Sequence, residues 1–269
     1  DFGEALKWHR KAAEQGEAES EARIGLMYRD GTGVPQNWSE AAEWFLKSAE
    51  HGSTSAESDI GWLYLNGLGV RQDFRKALKW FRKAADRGEA YAERNIANMY
   101  YDGQGVKQDF SKAAGWYRRA AEHGDADAGN RLGSMYRDGT GVHQDYAGAL
   151  EWYSRSAGEG NDLAQMNLGL MYEEGKAVKQ DYAEALFWYR KAAEQGNELA
   201  QYGVGRMYEQ GLGVRQDYAE ALKWYKKSAE KGCMLAQTAI GLMYMEGRGV
   251  RQDLKEAGKW IEKASGKDA

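Results

Sequence analysis

Trp8, Trp44, Trp80, Trp116, Trp152, Trp188, Trp224 and Trp260 recur at a fixed interval of 36 residues, with no insertion or deletion between them. An interval of that size, kept along a whole chain, leaves room for one supersecondary unit stacked on copies of itself. Other columns hold the same register, among them Tyr28, Tyr64, Tyr100, Tyr136, Tyr172, Tyr208 and Tyr244, and Gly16, Gly52, Gly88, Gly124, Gly160, Gly196 and Gly232. Seven full periods occupy residues 1–252, and a half-unit, a terminal helix over 253–266, follows. The expectation is a single solenoid over 1–269 in which each unit touches only its neighbours, with no central cleft.

One unit shows how the pattern builds itself. Asp181 is placed to accept the first free backbone N–H groups of a helix, and Glu184 three residues on can reach back to complete a capping box. Asp1 with Glu4, Asn37 with Glu40, Asp217 with Glu220 and Asp253 with Glu256 repeat the signal. In this second helix of the unit, B, Ala185, Trp188, Tyr189, Ala192 and Ala193 share a stripe, and Gly196 ends it as a left-handed cap. Helix A spans 198–210, with Ala200, Val204, Met207 and Tyr208 at helical spacing and Gly205 between them. Two helices of three turns joined by short turns are predicted to lie antiparallel. The tryptophans, framed by alanines, read as buried packing residues and not as an aromatic ligand box.

Composition closes off several functions. A net charge of −4 and a pI near 5.8 give no basic field for a phosphate backbone, so nucleic acid is not expected as a partner. Apolar runs fall far short of the roughly 20 residues a membrane span needs. A single cysteine, Cys233, rules out an intrachain disulfide and any multi-cysteine metal site, and reads as a small residue near a helix start. The sequence opens at Asp1 inside a repeat, so periplasmic, secreted and cytoplasmic settings are all compatible with it.

The run A-x-x-x-L-G-x-M-Y-x-x-G-x-A-V-x-Q-D-Y-x-x-A-x-x-W-Y-x-K-A-A-E-Q-G, from Ala164 to Gly196, resembles the Sel1-like repeat of the tetratricopeptide superfamily, whose usual second turn glycine is here Ala177. The likeness covers essentially the whole chain. Other departures are local: Ala97 replaces the helix-A glycine, His9 takes a Tyr position, and Leu254 takes a Tyr/Phe position. The resemblance implies a right-handed α-solenoid superhelix, with A helices on the concave wall and B helices on the convex one. It also implies an adaptor that displays a groove to peptides or protein surfaces, often in bacteria, but names no partner.

Columns that vary between repeats are free of the demands of stacking and available for recognition. Counted from the helix-A glycine, positions −3, +1 and +4 vary most, and at 100° per residue they share the face opposite the packing stripe. In the first half of the chain they place Trp62, Leu65, Arg94, Asn98, Tyr101, Asn130 and Arg137 on adjacent helices: aromatic anchors, amides suited to an extended backbone, and cations suited to a carboxylate. In the second half they place Met166, Leu170, Tyr202, Leu242 and Met245, with Arg206 and Glu209 beside them, a more apolar patch suited to an amphipathic helix or to packing between A helices. Trp38 stands in the Tyr/Phe column of helix B and reads as core.

Signals for catalysis scatter. His51 and His123, two periods apart near B-helix ends, are expected to answer the helix dipole, and His9 and His143 have no catalytic neighbour in sequence. No HExxH, CxxC or GxSxG run occurs. Asp125-Ala126-Asp127 faintly resembles a calcium loop but falls at a helix start and lacks the closing Glu. The expectation is a non-catalytic scaffold that binds a peptide or protein segment in its concave groove, without cofactor or metal. The alternative class is a bacterial cell-envelope hydrolase or its accessory factor. RNA binding is a third, carried only by the similar period of RNA-reading helical repeats, and end-to-end self-association stays open.

Overall fold

The B helices start where the period puts a short polar side chain. Asn37 Oδ1 accepts from the backbone N–H groups of Ser39 and Glu40 at 3.0 and 3.2 Å, and Asp181 Oδ1 accepts from Ala183 and Glu184 at 2.9 and 3.0 Å. The expected reciprocal glutamate instead pairs forward: Glu220 with Lys223 at 2.7 Å and Glu256 with Lys259 at 2.8 Å. Each A helix ends in a left-handed glycine, such as Gly31 or Gly211, whose N–H bonds back into the last turn.

The computed structural model describes residues 2–266; the Asp1 cap lies outside the described residues. Among these, fifteen α-helices and no strands are found: α1 (Phe2–Ala13), α2 (Ala18–Asp30), α3 (Trp38–Glu50), α4 (Thr54–Asn66), α5 (Phe74–Ala85), α6 (Ala90–Asp102), α7 (Phe110–Glu122), α8 (Ala126–Asp138), α9 (Tyr146–Gly158), α10 (Asp162–Glu174), α11 (Tyr182–Glu194), α12 (Glu198–Gln210), α13 (Tyr218–Glu230), α14 (Met234–Glu246) and α15 (Leu254–Ala264). None is long and apolar enough to cross a membrane. The helices cluster into two units, Asp1–Gln144 and Asp145–Ala269, each described by itself.

In the first unit, α2/α3, α4/α5 and α6/α7 pack as hairpins, with α1 against α2 and α8 against α7. Its core runs along the stripe read from the sequence: Ala77, Phe81, Ala84 and Ala85 of α5 meet Ala92, Ile96 and Met99 of α6. In the second unit the hairpins are α10/α11, α12/α13 and α14/α15, with α9 against α10. There Ala185, Tyr189, Ala192 and Ala193 meet Ala200, Val204 and Met207.

The tryptophan ladder is structural but not fully buried. Each Trp from Trp44 onward is half-buried and Trp8 is exposed, whereas the residue after each of the internal tryptophans is deeply buried: Phe45, Phe81, Tyr117, Tyr153, Tyr189 and Tyr225. The helix-A glycine explains the choice, because a Cβ on Gly169 would stand 2.8 Å from the Tyr189 ring and one on Gly205 2.6 Å from that of Tyr225. Each tryptophan ring instead carries a cation on its outer side, from Lys47 over Trp44 at 4.3 Å to Lys227 over Trp224 at 4.2 Å. The Tyr column receives the neighbouring B helix, as Arg10 donates to the Tyr28 phenol and Arg82 to that of Tyr100.

The second turn glycine marks where successive repeats meet. A Cβ on Gly69 would lie 2.1 Å from the Trp38 carbonyl oxygen at the start of α3, so main chain rests on main chain there. Ala177 occupies the same position in its repeat and keeps the left-handed conformation at φ 60°, the one non-glycine residue with positive φ among those described.

Candidate functional site

The outward columns of the A helices divide into a seam and an open wall. Position −3 is the seam. Ser58 Oγ donates to Glu89 Oε2 at 2.6 Å, and Arg94 Nε donates to Asp125 Oδ2 at 2.7 Å with Asp127 3.6 Å from its Nη1. Glu89 and Asp125 are themselves the N-caps of α6 and α8, so these residues tie each A helix to the start of the next. Asn130 in the same column is buried. Burial works against the Arg94 charge, but Asp125 and Asp127 outweigh it and hold the guanidinium pKa above its ordinary value.

Of the remaining residues expected in this patch, Trp62 is half-buried against Trp38, ring centroids 6.0 Å apart, and packs on the cores of two hairpins. Arg137 is forked onto Asp138 at 2.8 and 3.1 Å. Leu65, Asn98 and Tyr101 do come together, around a cleft of about 320 Å³ that Asp102, Gln104, Arg131 and Thr140 also line.

Tyr117 of α7 forms the floor of that cleft. Its phenol donates to Asn98 Oδ1 at 2.5 Å. Burial pushes its pKa up to about 12; Arg131 pulls it back, while Asp102 pushes it further. Tyr101, just over a third exposed, sits edge-on to Phe110 at 5.0 Å, which fixes its ring at the rim. Sequence reasoning missed Arg131, since position −2 was assigned to no face; the same position carries Asp59 on α4. Asp59 Oδ1 lies 3.6 Å from Arg29 Nη1, and burial pushes its carboxyl up to about 6, with Arg29 opposing and Glu89 and Asp30 adding to the rise.

A second seam, also unforeseen, runs through buried carboxylates. Glu21, Glu57 and Glu93 are almost fully buried, and the residue 30 positions later, at the far end of the same hairpin, reaches each of them: His51 Nδ1 at 2.7 Å, Arg87 Nη2 at 2.5 Å and His123 Nδ1 at 2.8 Å. The two histidines therefore serve partner carboxylates in addition to ending their helices. In the second unit amides replace the charges, and Gln195 Nε2 donates to Gln165 Oε1 at 2.9 Å.

The expected patch of the second unit is held by similar bonds. Arg206 Nη2 lies 2.5 Å from both oxygens of Glu173, which also accepts from the Tyr189 phenol at 2.7 Å. Glu209 repeats the arrangement, accepting from Tyr225 at 2.6 Å and Arg248 at 2.8 Å. Burial and these carboxylates raise both phenol pKa values far above the ordinary range. Met166 is half-buried on the α11/α12 core, Tyr202 packs 5.6 Å from Tyr225, and Leu242 and Met245 stay exposed. Among the described residues no three His, Cys, Asp or Glu side chains gather as a metal site.

The pattern of the Sel1 repeat matches residues 1–17, 18–53, 54–89, 90–125, 126–161, 162–197, 199–233 and 235–267. Among solved structures the chain is similar to c5321, described as a protective antigen present in uropathogenic Escherichia coli strains displaying an SLR fold, at 38% identity and a TM-score of 0.90. That match covers 100% of this chain and 58% of that one, so the sequence spans little more than half the length of this relative. A Sel1 repeat protein from Oxalobacter formigenes is 32% identical over 93% of this chain and 98% of its own, at a TM-score of 0.80. Yeast Tom70 shares the fold alone, at 12% identity and a TM-score of 0.51 over 98% of this chain and 58% of that one. No match is found among curated proteins.

Proposed function

The chain belongs to the Sel1 repeat family, and from that premise we propose that it is a non-catalytic scaffold that binds a protein segment on the A-helix face of its first unit, in the cleft floored by Tyr117. Proteins built from such repeats generally mediate protein–protein interaction, and the family is generally non-catalytic.

One observation carries the choice of site. On a face where most polar side chains are spent on neighbouring helices, this cleft sets an exposed aromatic, Tyr101, and an aliphatic side chain, Leu65, beside polar groups with hydrogen-bonding capacity to spare. Asn98 accepts through Oδ1 and keeps its N–H donors for a ligand, and an extended segment needs such donors for its carbonyls. Aromatic anchors with few torsions suit the centre of an interface.

Affinity capture from the native cell tests this reading. A partner should be retained by the parent chain and lost by Tyr101→Ala combined with Leu65→Ala, with the helical circular dichroism of the variant unchanged. Equal capture by parent and variant would move the site away from this cleft.

A further inference from the structure

Two charges on the A-helix face of the first unit are left over once the others have been matched. Arg29 is engaged by Asp30 and Asp59, Arg94 by Asp125 and Asp127, and Arg137 by Asp138. Asp102 and Arg131 have neither a hydrogen-bond partner nor an ion-pair partner for their side chains among the described residues. Both line the cleft, and both lie near enough to the Tyr117 phenol for their fields to act on it, in opposite senses. A carboxylate and a guanidinium that share one cleft without meeting leave a gap that opposite charges on a ligand can fill.

Beside the two charges, Leu65, the Tyr101 ring and Met135 give the lining an apolar share, among the polar side chains of Asn98, Gln104, Ser134 and Thr140. At about 320 Å³ the cleft stands at the small end of ligand-binding clefts, the size of a few residues and not of a helix. A segment of uniformly like charge satisfies one wall and is repelled by the other, so the site discriminates by repulsion as well as attraction.

We infer that this cleft takes a short peptide segment of mixed charge, in which a cationic and an anionic side chain flank an apolar residue, the cation meeting Asp102 and the carboxylate meeting Arg131. The inference rests on the proposed binding role of the cleft and adds the chemistry of what is bound.

Four blocked peptides serve as probes, each N-acetylated and C-amidated: Lys-Leu-Glu, Glu-Leu-Lys, Lys-Leu-Lys and Glu-Leu-Glu. Binding to the purified chain is followed at low salt by backbone amide chemical shifts of residues 98–104 and 131–140. At least one mixed-charge peptide should bind about tenfold more tightly than either like-charge peptide. D102K should move the preference to Glu-Leu-Glu and R131E to Lys-Leu-Lys; both side chains are exposed, so the fold should be untouched. Like-charge peptides that bind as well as mixed ones, charge reversals that leave the order unchanged, or no shift at these residues with any probe would each overturn the inference. If Tyr101→Ala with Leu65→Ala abolishes partner capture while peptide charge makes no difference, only the charge inference fails; if capture survives that variant, the binding role itself fails.

Discussion

The carboxylate of Glu57, 1% exposed on α4, lies 2.5 Å from Arg87 Nη2 at the end of the same hairpin. Burial raises the Glu57 pKa above its ordinary value, and the charges of Arg87 and Lys83 offset the rise only in part. Arg87 also donates to the Gly52 carbonyl at 2.8 Å, so one side chain holds both a buried acid and an exposed main-chain group.

Breaking this pair from one side should cost more than replacing both halves. Arg87→Ala is expected to destabilise the chain by about 2 kcal/mol, because it strands a buried carboxylate. Glu57→Gln with Arg87→Gln, which copies the Gln165–Gln195 pair, should recover most of that loss. Urea denaturation of both variants measures the difference; equal losses would mean that the two residues are not coupled.

Asp59 should make stability fall as pH rises. Its pKa of about 6 stands above the ordinary value of 3.8, so between those limits the folded chain holds a proton that the unfolded chain has released. The favourable contribution is present below pH 4 and lost as the pH passes 6, by about 2 kcal/mol after allowance for solvent screening. Asp59→Asn should flatten that part of the profile in thermal melts run from pH 4 to pH 8, and an unchanged profile would refute the assignment.

Ala177 holds a left-handed conformation that its Cβ disfavours. Ala177→Gly is therefore expected to stabilise the second unit by about 1 kcal/mol, after the loss of chain entropy in the unfolded state is counted. A higher denaturant midpoint with the same slope would show it.

Cys233 is the N-cap of α14 and makes no side-chain capping bond, whereas Asn161 and Asn197 at the same position accept from Ala164 and Ala200 at 2.8 and 2.9 Å. Cys233→Asn should add about 1 kcal/mol by supplying the missing acceptor. Differential scanning calorimetry of the variant should give a higher melting temperature; a lower one would show that the thiol is needed for packing.

The helices were legible because each carries its own signals. The Asp181 cap, the Ala185–Ala192–Ala193 stripe and the Gly211 stop act within a few residues, and the structure repeats them. Which of two adjacent aromatics is buried was not legible from helix B alone. Trp188 and Tyr189 are both large and apolar, and the decision belongs to Gly169 on the paired helix, which leaves room for only one ring. The candidate site divides in the same way. One helix's periodicity locates a face, which brought Leu65, Asn98 and Tyr101 together, but it does not fix the burial of each side chain at that face's edge, so Asn130 proved buried and Arg131 was overlooked. The Glu57–Arg87 seam did leave a trace: acids at one column accompany His or Arg 30 residues on, and Gln165 accompanies Gln195.

The close approach of Gly69 to the Trp38 carbonyl separates two properties that usually compete. Where successive repeats bear on each other through main-chain atoms, that contact does not depend on the side chains that line the cleft. Residues such as Leu65 and Tyr101 can then be exchanged without touching that main-chain contact, so the same frame can be rewritten for a new ligand one column at a time.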